Sequence, residues 1–82
     1  MLTTVLVICA GIDAGSRATK VVLFDSEQSR IVGSGLADQG VEQQRLATDL
    51  FERTCGEAQL DRAAINAIVA TGYGRNAIRF AD

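Results

Sequence analysis

Asp13, Gly15, Ser16 and Lys20 have the types and spacing to hold a polyphosphate, in the stretch Gly11-Ile-Asp-Ala-Gly-Ser-Arg-Ala-Thr-Lys20. A glycine with small neighbours lets backbone N–H groups converge on an anion without side chains in the way. Asp13 would repel a phosphate directly, but a carboxylate there suits the hydrated Mg2+ that accompanies a nucleotide. Lys20 adds the compensating positive charge, and backbone amides from Gly15 to Arg17 are the expected phosphate donors. The bland alternative is a plain β-hairpin with Asp13 and Lys20 solvated at strand ends, because short motifs match by chance.

The flanking segments must place these groups. Residues 5–10 (Val-Leu-Val-Ile-Cys-Ala) and 21–24 (Val-Val-Leu-Phe) are short, apolar and bounded by turn residues, as buried strands are. The phosphate stretch then becomes a hairpin tip. Residues 25–30 are polar turn formers, and residues 31–37 resume a strand loosened by two glycines, which makes a three-stranded meander. From Val41 the period changes. Leu46, Ala47, Leu50, Phe51, Thr54 and Ala58 recur at three- and four-residue steps, an amphipathic helix whose apolar face packs the core, with Gly56 near its end, either tolerated or terminating it. Cys55 on this helix is expected to behave as a small hydrophobe. Residues 60–65 suit a short helical turn that Asp61 can cap, and residues 67–70 a fourth strand, parallel to a neighbour because a helix precedes it. The order β-β-β-α-β is α/β.

Composition narrows the function classes. With 82 residues the chain is one small domain at most, and 48% apolar content, 22% charge and no proline describe a folded chain rather than a disordered one. Net charge is −2 with dispersed Lys and Arg, so no nucleic-acid footprint is present. There is no histidine, the commonest general base and metal ligand, and two cysteines, Cys9 and Cys55, are too few for a cysteine-rich metal site. No Lys or Arg precedes the apolar start, which is far short of a membrane span of ~20 residues, so a cytoplasmic protein with no membrane partner is expected.

A rival motif follows the fourth strand. Gly72-x-Gly74-x-x-Ala77 matches the dinucleotide-binding fingerprint, but that fingerprint opens a domain and needs an acidic residue about 20 positions later. Residues 15–20 are not a P-loop either, because the glycine directly before the lysine is absent, Thr19 standing there.

The spacing Asp-x-Gly-Ser-x-x-x-Lys resembles the first phosphate motif of the actin, Hsp70 and hexokinase superfamily. With residues 69–75 (Val-Ala-Thr-Gly-Tyr-Gly-Arg), Asn76 and residues 81–82 added, essentially the whole chain resembles one branch. That branch is the ATPase family of 2-hydroxyacyl-CoA dehydratase activators and benzoyl-CoA reductase ATP-binding subunits. The resemblance implies a ribonuclease H-like fold, with residues 1–82 as the N-terminal part of the nucleotide-binding domain. It also implies ATP and Mg2+, with Asp13 as the catalytic residue holding the metal through water and Gly11, Asp13, Gly15, Ser16, Arg17, Lys20, Gly72 and Gly74 around the nucleotide. Further implications are a homodimer or paired ATPase subunits, and a [4Fe-4S] cluster whose cysteines lie outside this chain. ATP hydrolysis would drive low-potential electron transfer to a partner acting on an acyl-CoA, as in anaerobic aromatic degradation. The chain alone should then be inactive and marginally stable, lacking the rest of the ATP cleft. Arg17 departs from actin-like members, which place glycine there. The runner-up is a small-molecule kinase related to N-acetylglucosamine kinases, and a further alternative is a non-catalytic nucleotide-sensing module.

Overall fold

The computed structural model describes residues 7–38, 42–72, 75, 78, 80 and 81, apart from the side chain of Gln43. Strands β1 (Ile8–Ala14), β2 (Ala18–Asp25) and β3 (Arg30–Asp38) precede helix α1 (Gln43–Glu57), a 3-10 turn (Arg62–Ala64) and strand β4 (Ile65–Thr71). The sheet runs β3-β2-β1-β4, with β1 antiparallel to β2 and parallel to β4. The expected α/β order is therefore present, and β1 is a central strand flanked by both site-forming neighbours.

Alternation along β1 decides which way its chemistry points. Ile8, Ala10, Ile12 and Ala14 are buried, while Gly11 and Asp13 are exposed. Period two sends these sets to opposite faces of the sheet. The buried face continues through Val21 and Leu23 of β2 and Ile68 of β4, and packs on Ala47, Leu50, Phe51 and Cys55 of α1. The other face carries Asp13 and Lys20 together with the exposed apolar side chains Phe24, Ile31, Leu36 and Val69.

Three sequence expectations need correction. The first strand runs on through Gly11 and Asp13 to Ala14 and the second begins at Ala18, so only residues 15–17 form the hairpin tip; residues 1–6 lie outside the described residues. Cys9 is half-buried rather than buried, because it alternates onto the open face. Asp61 precedes the 3-10 turn, but its side chain makes no capping hydrogen bond.

Helix α1 passes through Gly56 and closes beyond it. The Leu60 N–H donates to the Cys55 carbonyl at 2.9 Å and the Gln59 N–H to the Gly56 carbonyl at 3.0 Å, with Gln59 left-handed at φ 59°. This pair of bonds is the Schellman arrangement, built on a non-glycine residue. At the start of β4, Asn66 is the extra residue in an irregular register, and its Oδ1 accepts the Ile8 N–H at 2.9 Å.

The two glycines of β3 serve helix packing. A Cβ on Gly35 would meet Thr54 Oγ1 and come within 2.9 Å of Leu50 Cδ1, and one on Gly33 would lie 3.2 Å from Ala58 Cβ. Gly35→Ala should therefore lower stability by about 2 kcal/mol through overpacking. Urea denaturation checks this, and an unchanged midpoint would show that α1 sits farther from β3.

Candidate functional site

The open face of the sheet dips at the hairpin end into a depression of about 230 Å3, lined by Gly11, Ile12, Asp13, Lys20, Val22, Val69 and Thr71. Register explains the composition. Asp13 of β1 lies opposite Lys20 of β2 and Thr71 of β4, so a carboxylate stands between an ammonium and a hydroxyl on one rung across three strands. One rung deeper, Gly11 lies between Val22 and Val69. A Cβ on Gly11 would meet nothing within 4 Å, so no neighbour in the described structure requires glycine there. Its lack of a side chain leaves the floor at backbone level, as where a ligand or another backbone approaches closely.

The tip is closed by the Gly15 N–H donating to the Ala18 carbonyl at 2.9 Å, and a Cβ on Gly15 would sit 3.0 Å from that oxygen. Gly15 thus shapes the turn with its amide engaged, and the backbone donors left to an anion are those of Ser16 and Arg17. Both residues are exposed.

At the end of β4 the chain bends over Asp13. Gly72 has φ +93°, and a Cβ there would lie 2.6 Å from Asp13 Oδ1 and 2.7 Å from the Ala14 carbonyl oxygen. The structure therefore brings Gly11, Asp13, Lys20 and Gly72 together, with Gly15, Ser16 and Arg17 at the adjoining tip. Gly74 lies outside the described residues, as does most of the rival dinucleotide fingerprint. Thr71 was not singled out by sequence reasoning. It sits in the Ala-Thr-Gly-Tyr-Gly-Arg run, but its place beside Asp13 depends on the β1–β4 register.

A lone exposed carboxylate fits a metal that keeps its water shell. Among the described residues no group of three or more His, Cys, Asp or Glu could enclose an ion. Mg2+ takes one or two carboxylates plus substrate phosphates and retains several waters, so Asp13 is suited to hold it indirectly. The cysteines do not fit an iron–sulfur cluster. Cys9 lies on the open face, whereas Cys55 is buried in the core on the other side. Burial pushes the Cys55 thiol up, partly opposed by the Arg62 guanidinium and reinforced by Glu52, so it stays protonated at neutral pH.

The model of the BadF/BadG/BcrA/BcrD ATPase family matches residues 10–82. The chain belongs to this family. The BadF/BadG/BcrA/BcrD match begins within β1 and takes in every residue of the depression, from Gly11 to Thr71. An uncharacterized protein of Methanocaldococcus jannaschii is 40% identical over 72 residues, covering 88% of this chain and 27% of that protein. The crystal structure of Acidaminococcus fermentans (R)-2-hydroxyglutaryl-CoA dehydratase component A superposes with a TM-score of 0.79 at 26% identity, covering 93% of this chain and 29% of that one. The actin-like ATPase architecture is thereby shown for this family member. The chain spans under a third of the length of both relatives. No helix among the described residues is long and apolar enough to cross a membrane.

Proposed function

We propose that the chain forms the phosphate-binding part of a nucleotide site in an ATPase of the 2-hydroxyacyl-CoA dehydratase activator type. The observation that carries this is the Asp13–Lys20 cross-strand pair, set on an open concave face beside a glycine-containing tip. Family membership and the likeness to dehydratase component A support it. Phosphoryl transfer to water needs positioning and charge stabilisation more than covalent help from the protein. Water attacks the γ-phosphorus, the bond to the β-phosphate bridging oxygen breaks, and ADP and inorganic phosphate leave.

Each residue has a part in this. Lys20 supplies a point charge to the phosphates, the Ser16 and Arg17 amides donate from the tip, and Asp13 accepts hydrogen bonds from the metal's water shell. Mg2+, when bound, neutralises charge developing on the β- and γ-oxygens. Gly11 and Gly72 keep the floor and wall free of side chains. Asp13 serves as the catalytic carboxylate through this placement.

In the same reading, hydrolysis drives low-potential electron delivery to a 2-hydroxyacyl-CoA dehydratase or benzoyl-CoA reductase component, from a homodimer or paired subunits in the cytoplasm. The [4Fe-4S] cluster would be held by cysteines outside residues 1–82. Cys9→Ser and Cys55→Ser should accordingly leave the visible iron–sulfur absorbance of the full-length protein intact. Its loss in a well-folded Cys55→Ser variant would move a ligand into this chain.

The deciding experiment mixes reduced full-length protein with a dehydratase component and follows ATP-dependent electron delivery. Delivery that requires hydrolysable ATP supports the activator reading. Phosphorylation of a sugar-type acceptor without electron delivery would replace it with the kinase.

A further inference from the structure

We infer that Thr71 is a further ligand-binding residue of this site, its hydroxyl donating a hydrogen bond to a phosphate oxygen of the bound nucleotide. The inference rests on the reading proposed above and extends it to a group that neither the motif nor the family match assigns. Asp13 has Lys20 as its partner on one side and Thr71 on the other, each one strand spacing of ~5 Å away. All three line the same depression.

Thr71 is exposed, and its hydroxyl has no hydrogen-bond partner among the described residues. Its backbone position is set by its pairing with Asp13 in the β1–β4 ladder, and Gly72 turns at φ +93° directly after it. A carboxylate that holds a hydrated cation leaves the nucleotide's phosphate oxygens to be met on either side. Lys20 meets them on the β2 side, and Thr71 is the hydrogen-bond donor that β4 presents on the other.

The chemistry separates this role from a structural one. Strand preference and packing favour Val and Thr over Ser at an exposed strand position, so a purely structural role ranks Val with Thr and Ser below. A hydroxyl role ranks Ser with Thr and Val below.

Calorimetric titration of the full-length protein with Mg·ATP should show Thr71→Val binding about tenfold more weakly, as expected for a lost hydrogen bond to a charged oxygen. Thr71→Ser should stay within about twofold, and both variants should melt close to the parent. Parental affinity in Thr71→Val, or Thr71→Ser as weak as Thr71→Val, would overturn the inference. Asp13→Asn titrated alongside separates the two failures. If Asp13→Asn loses Mg2+-dependent affinity while Thr71→Val does not, only the Thr71 assignment falls. If neither weakens binding, the nucleotide site itself is wrongly placed.

Discussion

Asp13→Asn is expected to lower Mg2+-dependent ATP hydrolysis by the full-length protein about 10²- to 10³-fold, the usual loss when one preorganised electrostatic group is removed. The fold should survive. Asp13 is exposed on the open face, and its cross-strand pairing with Lys20 is of the kind that contributes only about 0.2–1 kcal/mol. Asparagine preserves the shape and one acceptor oxygen while removing the charge that faces the metal's water shell. Turnover should therefore fall with little change in thermal midpoint. Steady-state hydrolysis across a Mg2+ titration measures this, and turnover within a few-fold of the parent would show that the carboxylate serves no metal.

Gly72→Ala should be damaging in both stability and turnover. Its φ of +93° is a conformation that residues with a Cβ rarely adopt, and the added carbon would lie 2.6 Å from Asp13 Oδ1 and 2.9 Å from the Ala14 carbonyl carbon. The Asp13 side chain can rotate away, but the Ala14 backbone is part of β1 and cannot. Backbone strain and overpacking together should cost about 3 kcal/mol. Displacing the Asp13 carboxylate should slow hydrolysis on the order of 10- to 100-fold, as misplacement by about 1 Å does elsewhere. Urea denaturation and hydrolysis rates measured on one preparation test both parts. Parental stability would show that β4 does not close on β1 at this point.

Much of the fold was legible because apolar period changes between residues 37 and 46, from runs of strand type to helical steps. Strand boundaries were less so. Gly11 and Asp13 resemble loop residues in composition, yet they alternate with buried Ile12 and Ala14, and alternation outweighs composition once β2 and β4 pair on both sides of β1. The same oversight buried Cys9, which shares the Asp13 face. The β3 glycines read as a weakening of the strand, and only the approach of Thr54 and Leu50 on α1 gives them a packing role. Asp13, Lys20 and Gly15 were legible because their spacing is local and independent of tertiary structure. Thr71 was not, because it joins the site through a parallel register 58 residues distant from Asp13, with an irregularity at Ile8/Cys9 that no local pattern encodes.

The most direct test of the nucleotide site is the place where metal and nucleotide bind. Full-length protein labelled with 15N and titrated with Mn·ATP would report it through paramagnetic broadening of amide signals. Signals from Asp13, Gly15, Ser16, Arg17, Thr71 and Gly72 should disappear first, and those of α1 should persist. Broadening centred instead on the larger concavity beside Phe51, Cys55 and Leu60, or no selective broadening at saturating Mn·ATP, would contradict the assignment of the Asp13 rung as the metal–phosphate site.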